Sequence, residues 1–181
     1  REDDLLKPSN PYSASKAAAD MLVLAWARTY DLKYIIVRPA NNYGIGQYPE
    51  KLIPLTIKNL NRGRKTCLHD GGEPYRCWLH ADDTAEAVIK IIESGKLNEI
   101  YNISGHEDKK NIDTVKKIVE CYGNDVGDLE KYVDFSYSRQ GQDVRYSVDD
   151  VKLQSLGWST KKKFNQEIQS IVEYYKNKFV W

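Results

Sequence analysis

Two residues near the start of the chain are spaced for proton chemistry. In Tyr12-Ser13-Ala14-Ser15-Lys16 a phenol and an ammonium stand four residues apart, which on a helix puts them on one face. A positive charge beside a phenol favours the phenolate and turns a poor base into a usable one near neutral pH. Taken alone the pair is common in helices, and Lys16 as an ordinary surface residue is the bland alternative. His69, His80 and His106 lack metal-ligand spacing, so no zinc site is expected. The 11 glycines never fall as G-x-G-x-x-G, so the turn that cradles a dinucleotide pyrophosphate is not found in these residues. Gly71-Gly72 reads as a tight turn.

The Tyr/Lys pair needs a helix, and the pattern supplies one. Ala14, Ala17, Ala18, Met21, Leu22 and Ala25 form one apolar stripe between Pro11 and Tyr30, and Pro11 suits a first turn. Tyr34 to Arg38 is a β-rich run closed by Pro39 and reads as a buried strand. Helix followed by strand points to an α/β unit. Asn41 to Pro49 reads as a loop and Lys51 to Asn61 as a helix. Residues 66–69 and 75–79 read as two strands around Asp70-Gly71-Gly72. Asp82 to Glu93 is a helix with Ala85, Val88, Ile89 and Ile92 on its apolar face. Glu99 to Ile103 is a strand, and Asn111 or Asp113 caps a helix ending at Tyr122. Residues 123–131 are a polar loop, 132–137 a strand, 149–156 a short helix and Phe164 to Lys178 a terminal one. Trp26, Trp78 and Trp158 are expected in the core.

Lys plus Arg is 27 and Asp plus Glu is 26, without the basic excess of a nucleic-acid binder. No apolar run approaches the ~20 residues of a membrane span. Three cysteines are too few and odd in number for a disulfide framework, which suggests reduced thiols in a cytoplasmic setting. The chain opens on Arg-Glu-Asp-Asp without an initiator Met, which suggests a fragment of a longer polypeptide.

The stretch Asn10-Pro-Tyr-Ser-Ala-Ser-Lys-Ala-Ala-Ala-Asp20, followed by Arg38-Pro-Ala-Asn-Asn-Tyr-Gly44, resembles the extended short-chain dehydrogenase/reductase family, in particular its nucleotide-sugar 4,6-dehydratases. The likeness continues through Tyr48-Pro-Glu-Lys-Leu-Ile-Pro54, Arg76-Cys-Trp-Leu-His-Ala-Asp-Asp83, Tyr101-Asn-Ile-Ser-Gly105, Lys110-Asn111, Arg139-x-Gly141-x-Asp143-x-Arg145-Tyr146 and Leu156-Gly-Trp158. It implies an α/β fold: the C-terminal part of a Rossmann-like doubly wound sheet plus a smaller α/β substrate-binding domain. Residues 1–48 would belong to the NAD-binding part and 49–181 mainly to the nucleotide-sugar domain, with segments near 76–105 returning to the Rossmann part.

The resemblance also implies roles. Tyr12 takes the proton of the sugar 4-hydroxyl while NAD accepts hydride from carbon 4, and Lys16 bonds the nicotinamide ribose. The backbone around Ala40 and Asn42 approaches the nicotinamide. Asn41 contacts the substrate, the alternative being a self-capping loop asparagine. Lys51, Leu52, Arg76 and Arg139 meet the nucleotide or its diphosphate, whose oxygens guanidinium groups match in bidentate fashion. Asn111 is a substrate contact or a helix cap. Gln142 stands where dTDP-type enzymes often carry His, so a UDP-sugar is as open as a dTDP-sugar. The family's Thr-Asp-Glu elimination group precedes the tyrosine, and only 11 residues do so here. The expectation is therefore a C-terminal portion of a nucleotide-sugar 4,6-dehydratase, inactive alone and a homodimer when intact, with neither membrane nor nucleic acid as partner. The rivals are a 4-epimerase or decarboxylase of the same family and a non-catalytic nucleotide-sugar-binding module.

Overall fold

The structure, a computed structural model, describes residues 1–178. Its first helix, α1 (Pro11–Tyr30), has the predicted bounds. Asn10 caps it: its side-chain oxygen accepts from the Ser13 N–H at 2.9 Å, and the Ser13 hydroxyl accepts from the Asn10 N–H at 3.2 Å. This reciprocal pair satisfies donors that a helix start leaves free. Asp31, in the left-handed conformation, closes the other end.

The chain then enters β1 (Ile35–Pro39), which runs parallel to β5 (Glu99–Ile103) with Val37 opposite Tyr101. Parallel strands require a crossover. The segment between them carries β2 (Asn41–Tyr43), α2 (Leu52–Asn61), β3 (Thr66–Cys67), β4 (Tyr75–His80) and α3 (Ala81–Ser94). After β5 come β6 (Asp108–Lys110), α4 (Asn111–Tyr122), β7 (Val133–Asp134), β8 (Arg145–Tyr146), α5 (Val151–Gln154) and α6 (Phe164–Lys178). β4 is the hub: its first half pairs antiparallel with β6 and parallel with β8, its second half parallel with β2.

One expectation is corrected here. Residues 41–43 are not loop but strand, because they pair with Trp78 to His80. The two strands expected around Asp70-Gly71-Gly72 are present as β3 and β4, separated by a 3-10 turn (His69–Gly72) with Asp70 and Gly71 at positive φ; β3 pairs with β7 in another sheet.

One core gathers α2, α4 and α6 around Tyr43, Trp78 and Phe164. Another joins Ala40, Cys77 and Leu79 to Ala87, Ile91, Tyr101, Ile103 and Trp158. The stripe that α3 buries is Asp83, Ala87 and Ile91, not the predicted one, of which Ile89 and Ile92 are exposed. Asp83 is inside because its carboxylate accepts the backbone N–H groups of Lys161 (3.2 Å) and Lys162 (2.9 Å), fastening the segment that leads into α6. Trp78 and Trp158 are core as expected, but Trp26 is 57% exposed. No residue of α1 is buried.

Tyr43 sits in the first core with a buried hydroxyl that has no hydrogen-bond partner among the described residues. Burial pushes its ionisation well above the ordinary phenol range, and the carboxylates of Glu107, Glu167 and Asp83 add to this. A folded pKa above the unfolded value means that this contribution to stability is complete below the unfolded phenol pKa of about 10 and is lost as pH rises from there toward the folded value. Denaturant melts of Tyr43→Phe are expected to equal or exceed the parent in stability at pH 7 and to lose less of it above pH 10. A steeper alkaline loss in the variant would contradict this.

Candidate active site

α1 presents Tyr12 in its first turn and Lys16 one turn later, both exposed. The segment 139–145 is fastened to the start of that helix. Asn10 donates its side-chain N–H to the Gly141 carbonyl at 3.1 Å, and the Ser9 hydroxyl donates to the Asp143 carboxylate. Gly141 has φ 69°, and a Cβ there would lie 3.0 Å from the Ser9 carbonyl oxygen. Glycine is what lets the two backbones approach.

The other side of the same segment lies on β4. The Arg76 guanidinium donates to the carbonyls of Tyr75 (2.7 Å) and Asp143 (3.1 Å), and Tyr75 pairs with Arg145 on β8 and with Lys110 on β6. Arg145 is itself held by the Asp108 carboxylate at 2.7 Å. Asn111 follows directly on β6, half-buried, with its N–H on the Pro74 carbonyl at 3.0 Å. Side-chain hydrogen bonds thus link Arg76, the segment that contains Gln142 and the start of the Tyr12 helix at one end of β4, where Asn111 also lies. Arg139 enters this arch exposed, one residue after Ser138, whose hydroxyl bonds Asp70 at 2.9 Å.

The remaining candidates sit elsewhere on the same scaffold. Asn41 pairs with Trp78, and its side-chain oxygen is buried without a hydrogen-bond partner among the described residues. It is therefore no self-capping loop asparagine; an unmet acceptor suits a hydroxyl donor. The Asn42 side chain is committed to the protein: it donates to the Ala40 carbonyl at 3.2 Å and accepts from the Thr84 hydroxyl. Lys51 is exposed, 3.4 Å from Glu50, at the N-cap position of α2; Leu52 opens that helix and packs half-buried against the α2–α4 core. Asn111 is not the cap of α4, for Lys110 holds that position with no side-chain bond. Sequence reasoning missed Ser9, Asn10, Asp143 and Thr84. An Asn directly before a helix-opening Pro was a readable cap signal, but the Ser9–Asp143 bond spans 134 positions and leaves no local trace.

A family model described as GDP-mannose 4,6 dehydratase matches residues 1–171. The chain belongs to that family. As a member of the GDP-mannose 4,6 dehydratase family it is 41% identical over 96% of its length to dTDP-glucose 4,6-dehydratase 1 of Escherichia coli K12, covering 49% of that protein. The dTDP-glucose 4,6-dehydratase of Bacillus anthracis, solved with NAD, superposes on 100% of the chain with a TM-score of 0.90 at 37% identity, over 57% of its own length. The Streptomyces venezuelae enzyme DesIV, solved with NAD and TYD, gives 0.92 at 35% identity over 99% of this chain and 55% of its own. The Rossmann-like α/β expectation is met. The chain spans about half the length of the curated relatives it matches. Among the described residues no three His, Cys, Asp or Glu gather as a metal site, and no helix is long and apolar enough to cross a membrane.

Proposed function

We propose that this chain supplies the Tyr/Lys pair and the sugar-nucleotide site of an NAD-dependent nucleotide-sugar 4,6-dehydratase. Its substrate is dTDP- or UDP-glucose, and the intact enzyme is a cytoplasmic homodimer. The observation that carries the reading is the 41% identity to a dTDP-glucose 4,6-dehydratase along 96% of this chain. Residues 1–48 form part of the NAD-binding unit and 49–181 mainly the nucleotide-sugar unit. Near 76–105 the chain returns to the former, in keeping with a core that joins Ala40 to Cys77, Leu79, Tyr101 and Ile103.

The residues fit a nicotinamide and a hexose: an exposed Tyr/Lys pair on one helix face and, at Asn41, a buried acceptor without a partner. NAD, held by Lys16 and the main chain around Ala40 and Asn42, would supply a hydride acceptor for carbon 4 and, once reduced, a hydride donor for carbon 6. Tyr12 accepts the proton of the 4-hydroxyl. Lys16 bonds the ribose and sets a positive charge one turn from the phenol. Asn41 receives a sugar hydroxyl. Asn42, its side chain engaged with Ala40 and Thr84, contributes main chain alone. Arg76, Arg139, Lys51, Leu52, Asn111 and Gln142 hold the nucleotide and its diphosphate.

No Thr-Asp-Glu triplet occurs in the 181 residues. With NAD and dTDP- or UDP-glucose, the 181-residue chain is therefore expected to give no 4-keto-6-deoxy sugar, and the product of the intact gene to give it. Turnover by the chain alone, or none by the intact product on either sugar, would remove this assignment.

A further inference from the structure

The segment 139–145 touches both halves of the chemistry. Asn10 and Ser9 hold it from the α1 side, through Gly141 and Asp143, and Arg76 holds it from the β4 side through the Asp143 carbonyl. Tyr12 stands two residues beyond Asn10, in the first turn. That helix has no buried residue. Besides the 139–145 contacts, the side-chain tie that holds it to the rest of the described residues is the ion pair of Asp20 with Arg38 at 2.8 Å, more than two turns beyond Tyr12. Through Asn10, Ser9 and Arg76 the arch thus joins the start of α1 to β4.

Resting on the function proposed above, we propose that the 139–145 arch is the positioning element of Tyr12. Asn10 and Asp143 fasten it to the start of α1, so that a diphosphate drawn in by Arg76 and Arg139 is felt at the phenol. Neither Asn10 nor Asp143 is a catalytic residue; both act through the placement of Tyr12.

Asn10 allows the latch to be separated from the helix cap. Its oxygen caps α1 and its amide N–H reaches Gly141. Asp and Ser cap about as well as Asn, but Asp has no donor and Ser is too short to reach. Asn10→Asp and Asn10→Ser should therefore keep the helix and lose the latch. Asp143→Ala releases Ser9 and leaves the bond from Arg76 to the Asp143 main chain, while Asp143→Asn keeps an acceptor for the Ser9 hydroxyl.

The test uses NMR of the chain with labelled tyrosine, titrated with dTDP and with UDP, and steady-state kinetics of the intact enzyme. In the parent, nucleotide addition is expected to shift the Tyr12 resonance. In Asn10→Asp, Asn10→Ser and Asp143→Ala the melting temperature stays near that of the parent and the Tyr12 response to nucleotide is lost. In the intact enzyme kcat falls about tenfold, because small displacements of reacting groups carry large rate losses, and KM changes less. Asp143→Asn restores most of both. If both nucleotides bind the parent and Tyr12 responds alike in every variant, the latch is wrong and the nucleotide site stands. If neither nucleotide binds the parent, the diphosphate reading fails and the latch with it.

Discussion

Replacing Tyr12 by Phe in the intact enzyme is expected to lower kcat by about 10²–10⁴-fold, the usual contribution of a positioned general base, with substrate affinity within about threefold of the parent. The residue is 72% exposed and its hydroxyl makes no hydrogen bond among the described residues. Removing that oxygen therefore leaves packing and the α1 cap of this chain untouched, and the melting temperature of the 181-residue chain should not move. Tyr30→Phe, on the same helix and 60% exposed, is the control and should keep full activity. Single-turnover reduction of NAD isolates the first oxidation from later steps. A Tyr12→Phe enzyme that retains most of that rate would take Tyr12 out of the proton-transfer role.

Gly105→Ala is expected to cost about 3 kcal/mol or more of stability, at the upper end of overpacking, or roughly a 6–12 °C fall in melting temperature for a chain of this size. A Cβ at this position would lie 1.7 Å from the Trp78 carbonyl oxygen and 2.5 Å from its carbon. The Trp78 backbone cannot retreat easily. Its strand is paired with β2, its indole N–H donates to the Thr114 hydroxyl at 3.0 Å, and its ring packs on Tyr43 and Phe164. On the other side Ser104 is anchored by its N–H to the buried Asp150 carboxylate at 3.1 Å. Gly127→Ala, whose Cβ meets only Asp125 at 3.3 Å, should stay within about 0.5 kcal/mol of the parent. Chemical denaturation of both variants checks this, and a Gly105→Ala protein less than about 1 kcal/mol below the parent would show that β4 yields more readily than its contacts imply.

Most of the elements were legible because their signals are local. α1 carries a cap, a Pro in its first turn and helical spacing, and the bounds of β5 and the start of α6 also match expectation. What depended on partners was not. Residues 41–43 look like loop until β4 lies beside them. The buried face of α3 was misread because Asp83, a charged residue, is inside on account of two backbone N–H groups some 80 positions away. Trp26 was expected in the core because a large apolar ring is usually buried, and in this chain α1 packs on little. Among the candidate site residues, type and spacing marked Tyr12 and Lys16, while Asn41 was marked by the family resemblance alone. The arch that joins α1 to Arg76 is a matter of tertiary hydrogen bonds, and of Gly141, whose reason for being glycine is the approach of Ser9.

In the 181-residue chain, a helix of 20 residues with no buried side chain holds its shape by its caps, its alanines and a few polar ties, without the tertiary packing that supplies most helical stability in proteins. Its opening need not wait for the cores to melt. The amides of α1 therefore belong to the least protected class in hydrogen exchange, opening far below the free energy of global unfolding. The bonds around Met21 to Tyr30, in a stretch that exposes Met21, Leu22, Trp26 and Tyr30, are where a protease cuts first. Within this 181-residue chain the helix that carries Tyr12 and Lys16 is therefore the element expected to let go earliest.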